Sequence, residues 1–363
     1  MPTKIAIIGG GIVGSTAAFY LHQQPGVEII MFDDGTGQAT KAAAGIISPW
    51  LSKRRNQQWY RLARDGAGLF HELAIDAHLT GTSFARTGTI ITRDDSDDLD
   101  ALEQLAYERR DSAPTMGEIY RLNEASIKAL LPFVHHSAPG ILITGGARID
   151  GQLFCAQLQQ AANVIPRPGR VSFNEKGDLV ANGQIEKFDL VIAAVGAWLP
   201  ELLNPLGLTT AVRPQKGQLL ELKTPVYQTT QPQPVLMPEG ERDFIPTTPG
   251  QLIVGATHEN DQGFDLTPSV EVENDLLASA NRVTQTLTTQ DITGIRVGTR
   301  AYTQDFAPFF GTLVGHESIL VASGLGSSGL TTGPLIGQLL AQMAIGQTVA
   351  TERYTKATSQ YIS

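Results

Sequence analysis

The chain has 363 residues, of which 42% are hydrophobic and 17% charged, enough to bury a full core and to form two domains or one large domain with an insertion. Its net charge of −9 argues against nonspecific nucleic-acid binding, which needs a basic face to release counterions. A single cysteine, Cys155, excludes an internal disulfide framework and any Cys-based zinc or iron–sulfur site, and suits a reducing, cytoplasmic setting.

Residues 4–8 form a short apolar run that predicts a strand. It leads into Gly9, Gly11 and Gly14, spaced as GxGxxG with Ile12 and Val13 between them. A helix is expected over 15–23 and a second strand over 27–32, which ends in Asp33 and Asp34. This order is what a dinucleotide site needs. The first glycine makes a tight turn, the second admits a pyrophosphate against the backbone, and the third lets helix and strand pack closely. The helix N-terminus offers unpaired N–H groups to phosphate. An acid closing the second strand accepts from a ribose 2′-OH and repels a 2′-phosphate, which leaves NAD or FAD. The glycines alone do not choose. No signal peptide is expected, because the apolar start is broken by glycines and lacks a basic leader. No run of about 20 apolar residues predicts a transmembrane helix.

Further along, a short helix is expected over 39–44, with Thr40 near its start and Ala44, Gly45 and Ile46 after it. Lys53, Arg54 and Arg55 form a local basic cluster of the kind that solvates a surface turn. Helices are expected over 59–79, 95–110 and 123–131, and a hairpin over 84–92 around Gly88. His135 and His136 are adjacent, so they diverge on either a strand or a helix and read as surface residues. A strand at 141–144, a turn at Asp150-Gly151 and a helix over 152–162 follow. Short strands are expected at 164–165, 171–173, 179–181 and 190–194. The last is nearly all apolar, hence buried on both faces, and ends in Gly196, Ala197 and Trp198, where a ligand lies close to a parallel strand.

From 213 to 255 the pattern changes. Strands at 218–222 and 251–255 are separated by Pro225, Pro232, Pro234, Pro238, Pro246 and Pro249, which suit an antiparallel sheet. A helix is expected over 270–286. The βαβ character returns with a strand at 318–322, the glycine segment 324–329 and a helix from 330 to about 345. The fold class is therefore α/β. A discontinuous dinucleotide-binding domain (1–85, 141–210 and 294–363) carries an antiparallel-sheet substrate domain (86–140 and 211–293).

Four segments, in order along the whole chain, resemble the D-amino-acid oxidase family of flavoproteins, which includes glycine oxidase, sarcosine oxidase and bacterial D-amino-acid dehydrogenases. They are GGGIVG with Asp33; ATKAAAGIISP; VIAAVGAW; and GTRAYTQDFAPFFG followed by ILVASGLGSSGLTTGP. The family pattern in the last matches Gly298, Arg300, Thr303, Asp305, Pro308 and Gly311. The resemblance implies a Rossmann-type FAD-binding domain. It assigns to FAD the first turn (Gly9, Gly11, Ile12, Val13, Gly14), Asp33 and Asp34. To these it adds Thr40, Ala44, Gly45 and Ile46 under the flavin, Val171, and Gly196 with Trp198. The C-terminal turn, Gly326, Ser327, Ser328, Gly329 and Leu330, completes the set. There a helix N-terminus stabilises the negative charge of a reduced flavin ring. Sarcosine oxidases hold flavin through a C-terminal cysteine; Cys155 is not there, so the FAD is expected to be noncovalent.

In the family, the arginine matching Arg300 clamps the substrate carboxylate, for which its planar fork is suited. Arg296 competes for this role, and an ion pair with Asp305 is the structural alternative for Arg300. Trp50 and Phe244 are expected as apolar walls of the substrate site. Lys216 is expected near the site or at the surface. Two features depart from the pattern. Gly324-Leu325 stands where many members have Gly-His, and this wording resembles the oxidase half of a tRNA wobble-uridine-modifying enzyme. Phe244 stands where many oxidases have Tyr. The implied activity is oxidation of the C–N bond of a small amino acid or secondary amine by hydride transfer to flavin, with oxygen or another electron acceptor. A larger modified amine, or flavin binding without turnover, are the alternatives.

Overall fold

The structure, a computed structural model, describes residues 2–224, 232–284 and 287–363. Pro225 and the last two residues of the helix expected over 270–286 lie outside them. A six-stranded sheet runs in the order Phe309–Leu313, His316–Ser323, Leu190–Ala193, Thr3–Ile8, Val27–Asp33, Arg167–Pro168. All neighbours are parallel except the first pair. The central strands are apolar because both faces are covered: Ile5 and Ile7 point to one core cluster, Ala6 and Ile8 to another.

Helix Ile12–His22 lies in the first of these clusters and is buried almost all round, which explains its apolar composition. It contacts the C-terminal helix Gly329–Ala344 through glycines. A Cβ on Gly333 would come 2.5 Å from Ile12 Cγ2, and one on Gly337 would come 2.6 Å from the Val13 carbonyl oxygen. The N- and C-terminal parts of the chain are thereby joined in one layer. Helix Gln57–Asp76 packs on the same C-terminal helix, with Gly66 backed onto Thr331. No helix among the described residues is long and apolar enough to cross a membrane.

The second large sheet has eight strands, ordered Ile292–Tyr302, Arg213–Lys223, Gln251–Gly255, Asp243–Pro246, Val235–Met237, Thr89–Thr92, Gly140–Ile143, Ile119–Leu122. Only the pair Val235–Met237 and Thr89–Thr92 is parallel; the other pairs are antiparallel. One face packs on helix Val270–Val283 and the segment around Ile127. The other looks toward the six-stranded sheet.

Several expectations are corrected. Residues 84–92 are not a hairpin: Phe84–Ala85 pairs with Ala147–Ile149 in a small sheet, whereas Thr89–Thr92 belongs to the eight-stranded one. Gly88, at φ +83°, turns the chain between the two sheets. Val164 and Ile165 are not paired; Ile165 is 90% exposed, and the short edge strand is Arg167–Pro168. Strands Gly140–Ile143 and Ile292–Tyr302 are in the antiparallel sheet, so segments 141–210 and 294–363 each open with a strand of that sheet. Asp150-Gly151 is a helix start, where the Asp150 side chain accepts from Leu153 N at 2.9 Å.

The glycine contact between the two helices leaves no room for a side chain. Gly337→Val should lower stability by roughly 1–3 kcal/mol through overpacking against backbone. A denaturant midpoint within error of wild type would contradict the close approach.

Candidate active site

A cavity of about 610 Å³ runs from the carboxyl ends of strands Thr3–Ile8 and Val27–Asp33 to the inner face of the eight-stranded sheet. All the residues expected to hold the cofactor line it except Gly14. That glycine acts one layer behind: a Cβ there would collide with the Gly9 carbonyl, so its part is helix–strand packing.

At one end the first turn leaves the sheet at Gly9, whose φ of +103° suits glycine. Gly11 caps helix Ile12–His22 without a side-chain bond of its own. Thr40 Oγ1 reaches over from the next segment and accepts from Ile12 N at 3.1 Å. The two acids have different surroundings. Asp34 accepts from Thr36 N at 2.9 Å and from Arg170 Nε at 2.6 Å. Its partial burial opposes ionisation, but these donors outweigh that and hold its carboxyl below the usual range. Asp33 accepts from Gly35 N at 3.0 Å and from the Gln38 amide, and its Oδ2 lies over Gly10. Asp33 is therefore the acid set against the glycine turn.

The C-terminal glycine segment forms a short 3₁₀ turn, Gly326–Ser328, before helix Gly329–Ala344. Its N–H groups are not all open to a ligand, as the sequence suggested. Ser327 N donates to Tyr302 Oη at 3.1 Å and Ser328 N to Leu325 O at 3.2 Å. Trp59 Nε1 fixes Ser328 Oγ at 3.0 Å. Arg54 also departs from the expectation. It is not on a solvated turn but lines the cavity, its guanidinium 4.5 Å over the Trp59 ring and 3.4 Å from Ser327 Oγ.

Beyond this lies the inner face of the antiparallel sheet. Arg300 rises from strand Ile292–Tyr302 across Gly217; a Cβ on Gly217 would come 2.6 Å from Arg300 Nη1. Nη1 donates to Thr257 O at 2.8 Å and to Gln215 Oε1 at 3.1 Å. Nη2 and Nε have no protein acceptor among the described residues, and the group faces the cavity. Burial lowers the guanidinium's pKa from its ordinary value, against the pull of Tyr302 and Glu259. Asp305 is no partner of Arg300: it accepts from Lys356 Nζ at 2.6 Å, Thr303 Oγ1 at 3.0 Å and Tyr361 Oη at 3.1 Å. Arg296 is outside the cavity lining, with Nε 2.6 Å from Glu221 Oε1.

Three expected site residues are elsewhere. Trp50 is buried in the main core, and its neighbours Pro49 and Leu51 line the cavity instead. Phe244 points to the opposite face of the sheet, into the cluster against helix Val270–Val283. Strand alternation sends Asp243, one residue earlier, to the cavity side. Lys216 is neither at the surface nor in the lining. It is buried, with Nζ 2.8 Å from Asp265 Oδ2 and 2.5 Å from Thr267 O. Among the lining residues that sequence reasoning passed over are Arg54, Arg93, Asp243 and His258. Only the alternation in the run RDFIP signalled one of them.

A family model described as FAD dependent oxidoreductase (DAO) matches residues 4–343. The chain belongs to the DAO family of FAD-dependent oxidoreductases. It is 36% identical over 356 residues to "Uncharacterized oxidoreductase YurR" of Bacillus subtilis (strain 168), covering 94% of each chain. It is 27% identical to a glycine oxidase of Pseudomonas putida, covering 95% of each. Among solved structures, iminodiacetate oxidase (IdaA) from Chelativorans sp. BNC1 superposes with a TM-score of 0.89 at 30% identity, covering 98% of each chain. Glycine oxidase from Geobacillus kaustophilus shares the fold, with a TM-score of 0.82 at 22% identity and 96% coverage of each. The cofactor of this family is FAD, and the cavity fits it. Its lining combines a side-chain-free turn at a helix start, an acid, an apolar stretch of Ile12, Ala43, Ala44 and Ile46, and a second glycine turn at a helix start. Cys155 is buried outside the lining and burial pushes its thiol up to about 12, so it offers no thioether to the flavin.

Asp33→Lys should weaken FAD binding at least tenfold, about 1.4 kcal/mol, by placing a cation where an acceptor faces the glycine turn. Fluorescence titration of the apoprotein with FAD measures this; unchanged affinity would remove Asp33 from the ribose site.

Proposed function

We propose that the protein oxidises the C–N bond of a small amino acid or N-substituted amino acid. The observation that carries this reading is the Arg300 guanidinium, half-buried and facing the cavity with Nη2 and Nε free of protein acceptors among the described residues. A half-buried guanidinium with an open edge favours an anion that accepts two parallel bonds, and a carboxylate does so best. Thr257 O and Gln215 hold the guanidinium from behind, and Gly217 leaves room for it to lie flat on the strand. Names among similar proteins, glycine oxidase and iminodiacetate oxidase, point to the same substrate class.

When bound, FAD supplies the oxidant that takes the hydride from the carbon beside nitrogen, and the imine then hydrolyses in water. The protein binds and orients. Arg300 fixes the carboxylate, and the apolar lining from Ile46, Leu51 and Met237 excludes water. Oxygen or another acceptor completes the cycle, and the single cysteine suits a cytoplasmic setting. A dicarboxylic secondary amine is the second reading, favoured by Arg54 and Arg93, which also line the cavity.

A panel of glycine, sarcosine, proline, D-amino acids and iminodiacetate should contain at least one compound that bleaches the flavin band without oxygen. If none does, the reading fails. Arg300→Ala should retain FAD and lose about 2–5 kcal/mol of transition-state stabilisation, read as kcat/KM. Arg300→Lys should recover only part of it, since a point charge lacks the fork. Equal loss in Arg296→Ala with a silent Arg300→Ala would reverse the assignment.

A further inference from the structure

One carboxylate in the cavity has no part in clamping the substrate or holding FAD. Asp243 sits on strand Asp243–Pro246, in register with Gly255, whose missing side chain makes room for Leu219. It lines the cavity and has no hydrogen-bond or ion-pair partner among the described residues. Two residues past Gly255, the Thr257 carbonyl accepts from Arg300. The same strand end thus carries the carboxylate clamp and borders the lone acid. The other charged or titratable groups of the lining are Glu241 on its own segment, His258 after Gly255, Arg93 after strand Thr89–Thr92, Arg300 and Arg54, together with Asp33, Asp34, Arg170 and Glu201 around the first glycine turn and strand end. Arg242, next in sequence, turns away to Ala256 O and Asp275, and Glu259 is bonded to Gln218 and Thr257.

We propose that Asp243 accepts the proton of the substrate's ammonium group while Arg300 holds its carboxylate. This rests on the cavity being an amino-acid site. An amino acid reaches a neutral solution with its nitrogen protonated, and in that form the nitrogen has no lone pair to develop a C=N bond. The step is a simple exchange: the N–H bond breaks, the pair stays on nitrogen, and the proton binds an Asp243 oxygen. The ammonium becomes an amine and the carboxylate a carboxylic acid, and the proton passes to water after the product leaves. Burial pushes the Asp243 carboxyl up to about 7, which lets it be ionised at slightly alkaline pH and still be basic enough to hold a proton. His258 is the competing titrating group. Burial and then Arg300 lower its pKa from the ordinary 6.5, so its transition falls at lower pH.

The test uses FAD-loaded protein and a ligand that has no titrating nitrogen. Methoxyacetate has the shape of sarcosine with an ether oxygen in place of the amine, and its binding is read from the perturbed flavin spectrum. In wild type its affinity should fall about tenfold as pH rises through about 7, because the ionised Asp243 then faces an oxygen lone pair. In Asp243→Asn, which is isosteric, this dependence should vanish while FAD content is unchanged. His258→Asn should keep it. With the best substrate, kcat/KM of wild type should rise across the same pH range. Asp243→Asn should be on the order of 100-fold lower near neutrality, and Asp243→Glu should restore part of the loss. A pH trend for methoxyacetate that survives in Asp243→Asn, no trend in wild type, or no binding at all would each overturn the proposal. Wild-type kcat/KM in Asp243→Asn would also overturn it. If no amino acid reduces the wild-type flavin, it is the functional reading that fails, and the methoxyacetate titration alone decides whether Asp243 faces the ligand.

Discussion

The close approach of backbones around helix Ile12–His22 is the constraint on which the rest depends. On one side Gly14 lets the helix sit on Gly9; on the other, Gly333 and Gly337 bring the C-terminal helix against Ile12 and Val13. Residues more than three hundred positions apart thereby share one layer. The two glycine turns, one opening each helix, both come to line a single cavity. A methyl group added at any of these three glycines would push the two helices or the underlying strand apart and misalign the turns, because a close-packed interior has no free volume to absorb it.

The second constraint is the alternation of the antiparallel sheet. Its back face must be apolar to cover helix Val270–Val283, and Phe244, Leu220 and Val254 supply that. The facing positions are released from this demand and line the cavity, Asp243 on one strand and Arg300 on another, with Gly217 making room for the Arg300 guanidinium. The unmet hydrogen bonds of charged groups so placed are costs that, on the proposed reading, a zwitterionic ligand would offset. The cavity thus presents a fixed cation and an acid at one end of an apolar slot.

Much of this was legible in the sequence. The first turn, Asp33, the Gly196–Trp198 strand end and the C-terminal glycines could be read because each is a local pattern with one physical purpose. The place of Arg300 in the cavity lining was legible through its motif, whereas Arg296 lies outside the lining and pairs with Glu221. What failed were assignments needing three-dimensional facing. Phe244 and Trp50 were placed in the site by type alone, yet sheet parity and core packing turn them away. Arg54 looked solvent-facing because basic clusters usually are; its stacking on Trp59 depends on a helix that begins after it. Gly88 marked a turn correctly but not that the strands on either side join different sheets.

The central claim is that one cavity holds a flavin between two glycine turns and an amino-acid zwitterion between Arg300 and Asp243. A crystal structure of the protein with FAD and methoxyacetate tests it most directly. The account predicts the carboxylate on the free edge of the Arg300 guanidinium, the ether oxygen toward Asp243, and the methylene between them facing the flavin ring. Density for the carboxylate at Arg54 or Arg93, with Arg300 unengaged, would contradict it.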